Sequence, residues 1–249
     1  MTENTYSGLH ARHYDLIYED KPYAEEARFI DALLPRRGTL LDVACGTGRH
    51  AIEFARLGHT VTAVDYSDKL LERARANASQ AGVEIRLVNQ DMRRLELGER
   101  FDAVTCLFDS IGYPLSDAAI VEALSRMRAH LAQGGLVAAE FLHAQMLERT
   151  SPVKVGRWNA HDGVTLLRIS ETDLDLAARV MNVSYELLEL GPGSDYRRFV
   201  ERQSNRFFFP EEMRSLMADA DLDVDRFVPA YDDGDITDET WHVLALAQA

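Results

Sequence analysis

The sequence predicts an α/β fold: a doubly wound, mostly parallel seven-stranded sheet with an antiparallel β insertion after its fifth strand. Three observations carry this. Short apolar runs alternate with stretches of helical periodicity, as βαβ units require. The first run, Leu40-Leu41-Asp42-Val43, breaks into Ala44-Cys45-Gly46-Thr47-Gly48, and a helical pattern follows at once. From about 152 to 209 the pattern shifts to the alternation of antiparallel strands.

Residues 1–36 precede the core and are read as an N-terminal helical lid. Within them Pro22 sits in the first turn of a helix reaching Leu34, which Pro35 and Gly38 close. The stretch holding Tyr14 and Tyr18 predicts a short helix over the ligand pocket. Residues 37–142 form the ligand-binding core, with later strands at 59–64, 84–88, 101–108 and 134–141. Ser67 is placed to cap a helix that Gly82 stops, and a further helix spans 116–131. Residues 143–209 form the insertion, a substrate cover with strands at 164–170, 179–187 and 196–209 and a turn at Gly191-Pro192-Gly193. Residues 210–249 supply a helix from Pro210 and two strands that complete the sheet.

Composition narrows the function. A net charge of −14 argues against nonspecific nucleic-acid binding, which needs a basic face. No apolar run approaches the ~18 residues of a membrane span, and the N-terminus lacks a secretory pattern, so a cytoplasmic protein is expected. Two cysteines, Cys45 and Cys106, read as small buried thiols in a reducing compartment. Asp219-x-Asp221-x-Asp223 starts like a calcium loop, but Val224 and Ala230 stand where glycine and a bidentate glutamate belong. No metal is expected.

The strand tips hold the chemistry. Glycines let a ligand approach the backbone, and the helix that follows offers unpaired N–H groups. Asp42, an acid just before the glycines, suits a ligand carrying an ammonium group. Asp65 ends the second strand about 20 residues beyond the glycine loop, where a carboxylate accepts ribose hydroxyls. Asp91 and Met92, an acid beside a flat apolar side chain, suit an adenine.

Together, Asp42-Val43-Ala44-Cys45-Gly46-Thr47-Gly48, Asp65, Gln90-Asp91-Met92 and Phe101-Asp102-Ala103-Val104 resemble the ordered motifs of class I S-adenosylmethionine-dependent methyltransferases, which have a Rossmann-like fold. The resemblance covers about residues 38 to 142. Tyr14-Asp15-Leu16-Ile17-Tyr18 and Ser110-Ile111-Gly112-Tyr113 look like small-molecule members, nearest to amino-sugar N-methyltransferases. The resemblance implies S-adenosylmethionine as cofactor, held by Tyr14, Tyr23, Asp42, Ala44, Cys45, Gly46, Gly48, Asp65, Tyr66, Asp91, Met92 and Leu107. It also implies a small-molecule acceptor and ring faces near the sulfonium. Tyr18 and His143 are the candidate catalytic residues, His143 as a base beyond the fifth strand. Trp158, His161, Tyr185 and Arg206 are candidate acceptor contacts, and His242 is a weaker candidate. A homodimer fits the same picture.

Three other readings stay open from sequence, one of them a protein that keeps the cofactor as an electrostatic prop for a cyclisation or hydrolysis. Gly46-x-Gly48-x-x-Ala51 also satisfies a dinucleotide fingerprint, although Asp42 would repel a pyrophosphate. A protein that senses adenosylmethionine without acceptor chemistry would keep the same motifs. Whether the acceptor atom is nitrogen or oxygen is not decided.

Overall fold

The structure, a computed structural model, describes residues 9–150, 153–161, 164–190 and 196–249. Three helices lead in: α1 (Leu9–Arg12), α2 (Tyr14–Ile17) and α3 (Tyr23–Leu33). The core then alternates β1 (Thr39–Val43), α4 (Arg49–Arg56), β2 (Thr60–Asp65), α5 (Asp68–Ala81), β3 (Arg86–Asn89), β4 (Phe101–Cys106), α6 (Asp117–Ala129) and β5 (Leu131–Leu142). A short α7 (Ala144–Leu147) opens the insertion, whose strands are β6 (Lys154–His161), β7 (Val164–Asp175), β8 (Val180–Leu190) and β9 (Tyr196–Arg206). The chain closes with α8 (Pro210–Asp219), β10 (Asp223–Pro229) and β11 (His242–Gln248).

The seven-stranded sheet runs β10-β11-β5-β4-β1-β2-β3. β11 is antiparallel to both its neighbours, and the pairings among β1 to β5 are parallel. The expected doubly wound sheet is therefore present. Its order reverses between β1 and β4, the switch point where such sheets open a crevice. Both faces are covered, so the central strands are apolar along much of their length, with polar residues such as Asp42 and Thr105 as exceptions. Leu41, Val43, Val104, Val137 and Ala139 pack under α6 and α8, against Ile120, Leu124, Met127, Met213 and Met217. Leu40, Ala103, Leu136 and Ala138 pack under α3 and α4, against Ala27, Ile30, Ala51 and Phe54. The Ser67 hydroxyl caps α5 by accepting from Leu70 N–H, and Gly82 ends it in the left-handed conformation. No helix among the described residues is long and apolar enough to cross a membrane.

The insertion is a separate four-stranded antiparallel sheet, β6-β7-β8-β9, with one strand more than the sequence indicated. β6 went unrecognised because Lys154, Gly156, Arg157 and Asn159 break apolar alternation. It is an edge strand held by eight pairs along β7 rather than by its own burial. The glycine turn expected at 191–193 and the first eight residues of the lid lie outside the described residues. Inward-facing Leu166 and Leu187 cluster with Ile17 of the lid, and Asn159 Nδ2 donates to Leu16 O at 3.0 Å.

Phe207 and Phe208 anchor the insertion where it rejoins the core. Phe208 N–H donates to Leu142 O at 2.9 Å, and its ring meets Phe141 edge-on at 5.9 Å. Both phenylalanine side chains are fully buried. Phe208→Ala should destabilise the fold by about 3–5 kcal/mol, the cost of an aromatic cavity in a packed core. A urea midpoint unchanged from wild type would contradict this anchoring role.

Candidate active site

The loop after β1 turns sharply, with Ala44, Gly46 and Gly48 at φ of 59°, 57° and 74°. A Cβ at Gly48 would stand 3.1 Å from Ala74 Cβ, so close packing of α5 adds to the demand for glycine. Asp65 clasps this loop. Its Oδ2 accepts from Gly46 N–H at 2.9 Å and its Oδ1 from Ser67 N–H at 2.8 Å. Beside it Asp42 is 2 % exposed. Its Oδ1 accepts from the Thr105 hydroxyl at 2.8 Å, whereas its Oδ2 is buried with no hydrogen-bond partner. Burial pushes both Asp42 and Asp65 up to about 6.

A cavity of about 1270 Å³ opens above this loop. It is lined by every residue expected from sequence to hold the cofactor except Gly48, which turns the chain into α4 instead. Tyr14 covers Gly46, with ring atoms 4.0 Å from where a Cβ would sit. Asp15 fixes that segment by accepting from the Thr47 hydroxyl at 2.7 Å, Arg73 Nε at 2.7 Å and Asn77 Nδ2 at 2.9 Å. Tyr23 is buried against the cavity, its hydroxyl lacks a hydrogen-bond partner, and the Arg49 guanidinium lies 5.1 Å from its ring centre. Asp91 lines the opposite side and accepts from Arg93 N–H at 2.9 Å and Nε at 3.0 Å, which holds its carboxyl below the usual range.

The two candidate catalytic residues are placed differently from expectation. His143 is 1 % exposed and is not among the lining residues. Its Nδ1 lies 3.0 Å from Thr240 O, and its backbone N–H donates to Trp241 O, so the ring is tied to the C-terminal segment. Tyr18 stands one layer behind the cavity. It packs on Tyr14 at 4.7 Å and Phe108 at 5.2 Å, with the Arg168 guanidinium 5.6 Å from its ring centre. Trp158 is 64 % exposed, Arg206 is bound by Asp117 and Glu212, and His161 ends β6.

Sequence reading missed a buried charge cluster at the exit of β4. His242 Nδ1 lies 2.9 Å from Asp109 Oδ1 and 3.2 Å from Glu140 Oε1. Burial opposes its charge, but the two carboxylates push His242 up to about 11. Glu140 Oε2 also accepts from Phe108 N–H at 2.8 Å and the Tyr231 hydroxyl at 2.5 Å. These bonds hold Phe108 and Asp109 in consecutive left-handed conformations, at φ of 54° and 59°. Phe108 and Ser110 line the cavity on either side of Asp109. The partners are about a hundred residues apart, so no local pattern announced them. Another pair, His50 Nε2 and Glu26 Oε2 at 2.6 Å, ties α4 to α3 beside the cavity.

The chain matches the family described as "Methyltransferase domain" over residues 40–135. It is 34% identical over 230 residues to the dTDP-3-amino-3,6-dideoxy-alpha-D-glucopyranose N,N-dimethyltransferase of Streptomyces fradiae, spanning 90% of this chain and 87% of that protein. It is 31% identical to the dTDP-3-amino-3,4,6-trideoxy-alpha-D-glucopyranose N,N-dimethyltransferase of Streptomyces venezuelae, over 87% and 91%. The S-adenosylmethionine-bound amino pentose methyltransferase CalS10 of Micromonospora echinaspora superposes with a TM-score of 0.75 at 28% identity, covering 100% of both chains. The chain belongs to the S-adenosylmethionine-dependent methyltransferases. It is an enzyme that transfers a methyl group from that cofactor to nitrogen or oxygen of a small-molecule acceptor, and the dehydrogenase and non-catalytic readings fall away.

Asp42 has a measurable cost. Its carboxyl is raised from 3.8 to about 6, so its contribution to stability is full below 3.8 and is lost as pH rises through about 6. Asp42→Asn should therefore stabilise the ligand-free protein at pH 7.5 by about 1–3 kcal/mol. Paired urea denaturations should show that gain shrinking towards pH 5; a constant difference would show that Asp42 is not titrating there.

Proposed function

We propose that this enzyme methylates the amine of a nucleoside-diphosphate-linked amino sugar. The observation that carries the reading is the two-sided cavity. About 1270 Å³ exceeds the usual ~300–1,000 Å³ of a single-ligand pocket, and the lining comes both from the glycine loop and from residues 199–204 of the insertion. Exposed Arg202 lines it, placing positive charge on the insertion side within a chain of net −14, which favours an anionic diphosphate. The substrates named for the two Streptomyces relatives support an amino sugar.

The residues present fit the cofactor. The orphaned Oδ2 of Asp42 needs a donor, and an ammonium group is one. Asp65 has lone pairs left for ribose hydroxyls after its two backbone bonds. Asp91, Met92 and Leu107 would hold the adenine with Tyr66 at the rim, Ala44, Cys45 and Gly46 would offer backbone, and Tyr14 and Tyr23 would face the sulfonium. When bound, S-adenosylmethionine supplies an electrophilic methyl group. This chain's residues orient the acceptor against it and exclude water, and alignment of that kind supplies up to ~7–11 kcal/mol. In this reading residues 1–36 act as the lid and 143–209 as the acceptor cover. The burial of His143 favours nitrogen over oxygen, since a neutral amine needs no strong base and a sugar hydroxyl does.

We place the reaction in the cytoplasm, where Cys45 and Cys106 stay free thiols. We also place a second copy of the chain on the face of the insertion sheet that carries Trp158 and Tyr196, both exposed and outside the cavity lining. Light scattering should report a dimer that Trp158→Glu converts to monomer; a wild-type monomer would remove this part of the reading.

The reaction is tested by incubating the protein with S-adenosylmethionine and dTDP-3-amino-3,6-dideoxy-α-D-glucopyranose, alongside a panel of simple amines and phenols. Mass spectrometry should show one and then two methyl groups on the sugar amine. Transfer only to phenols would overturn the proposal. Asp42→Asn should weaken S-adenosylhomocysteine binding by about 1–3 kcal/mol in calorimetry.

A further inference from the structure

The carboxylates around the cavity fall into two sets. Asp42, Asp65 and Asp91 stand at the tips of core strands, and among the described lining residues one further acid, Glu201, comes from the insertion. β9 turns Phe199, Glu201, Gln203 and Asn205 to one face, the face that pairs across β8 with Leu187, Tyr185, Val183 and Met181. That face is pinned around Glu201. Phe199 packs into the cluster of Ile17, Leu166 and Leu187. Gln203 Nε2 donates to the Tyr113 hydroxyl at 2.6 Å, and Asn205 Nδ2 donates to Asp109 O at 3.0 Å. Glu201 is therefore carried on a strand fixed to both the lid and the β4 exit loop.

Its surroundings suit a cation that can donate hydrogen bonds. The rings of Tyr14, Phe108 and Tyr113 line the same cavity, and aromatic faces favour positive charge. Gln203 also lines it, and its Oε1 is buried with no hydrogen-bond partner. A carboxylate and an amide oxygen two residues apart on one strand face form a pair of acceptors with ring walls.

We propose that Glu201, assisted by Gln203, binds the protonated amine of the incoming acceptor, takes its proton so that the neutral amine's lone pair faces the methyl group, and makes the cavity selective for amino over hydroxyl substrates. This rests on the amine reading above and assigns the residue that enforces it. An ammonium meets Glu201 as an ion pair and has donors left for Gln203, whereas a hydroxyl carries no charge and has a single hydrogen, which leaves one of the two acceptors unpaired. Discrimination follows because a site built to pair with a donor rejects the analogue that leaves it unpaired.

The test measures binding separately from turnover. Wild type, Glu201→Gln and Glu201→Asp, each saturated with S-adenosylhomocysteine, are titrated with dTDP-3-amino-3,6-dideoxy-α-D-glucopyranose and with its 3-hydroxy counterpart. Wild type should prefer the amino compound by about tenfold or more, and Glu201→Gln should bring the two within about threefold. Glu201→Asp should restore part of the preference, and S-adenosylhomocysteine affinity should stay within about twofold in both variants. An undiminished preference in Glu201→Gln, with the cofactor product still bound, overturns the inference. If wild type binds neither nucleotide, the sugar-nucleotide reading fails, and the same ratio is measured on whichever amine of the panel it methylates. A wild type that accepts hydroxyls alone overturns both.

Discussion

The clasp of Asp65 on the glycine loop is the interaction from which the rest of the site is built. Its two oxygens hold Gly46 N–H and Ser67 N–H, so one side chain fixes the turn into α4 and the start of α5 together. The tight packing of Gly48 on Ala74 lets α5 approach the loop closely. Asp42 is then buried at the bottom with one oxygen unsatisfied, a state that ligand-free folding would not favour alone. Stability is spent at the position where a ligand's charge would restore it, the trade expected of a functional site.

Around that floor the segment before α3 is tied largely by hydrogen bonds, whereas α3 itself packs into the core. Asp15 joins that segment to Thr47, Arg73 and Asn77, which lie on the glycine loop and α5. Its three bonds can be exchanged for water at modest net cost, since a typical hydrogen bond contributes only about 0.5–1.5 kcal/mol. The insertion differs. Phe207 and Phe208 bury its exit in the core, so its sheet has a fixed root while its far strand, β6, depends on pairing alone. The arrangement gives a firm cavity wall at β9 and a softer edge at β6.

How much of this was legible in the sequence depended on how local each signal was. The parallel core was readable because glycine spacing, strand tips and helix caps are short-range features. Ser67 and Gly82 sit where their chemistry puts them. His143 does not line the cavity because it sits at the N-cap of α7 just past the end of β5, where its ring meets Thr240 O of the C-terminal segment, a contact no local pattern announces. Tyr18 belongs to the aromatic cluster before the core, but it packs against Tyr14 and Phe108, whose rings line the cavity in its place. Glu140 was hidden inside an apolar run that reads as ordinary strand interior. Its reason for being there is His242, and only tertiary structure brings those two together.

That pairing also bears on when the site can exist. Phe108 and Asp109 are held in left-handed conformations that cost energy in non-glycine residues, and Glu140 holds them while itself compensated by His242. On a ribosome, Glu140 emerges about a hundred residues before the strand that brings its counter-charge. Until that strand has docked, the carboxylates at the β4 exit lack their histidine partner. The shape of the loop that borders the cavity is thus completed by one of the last strands to be synthesised.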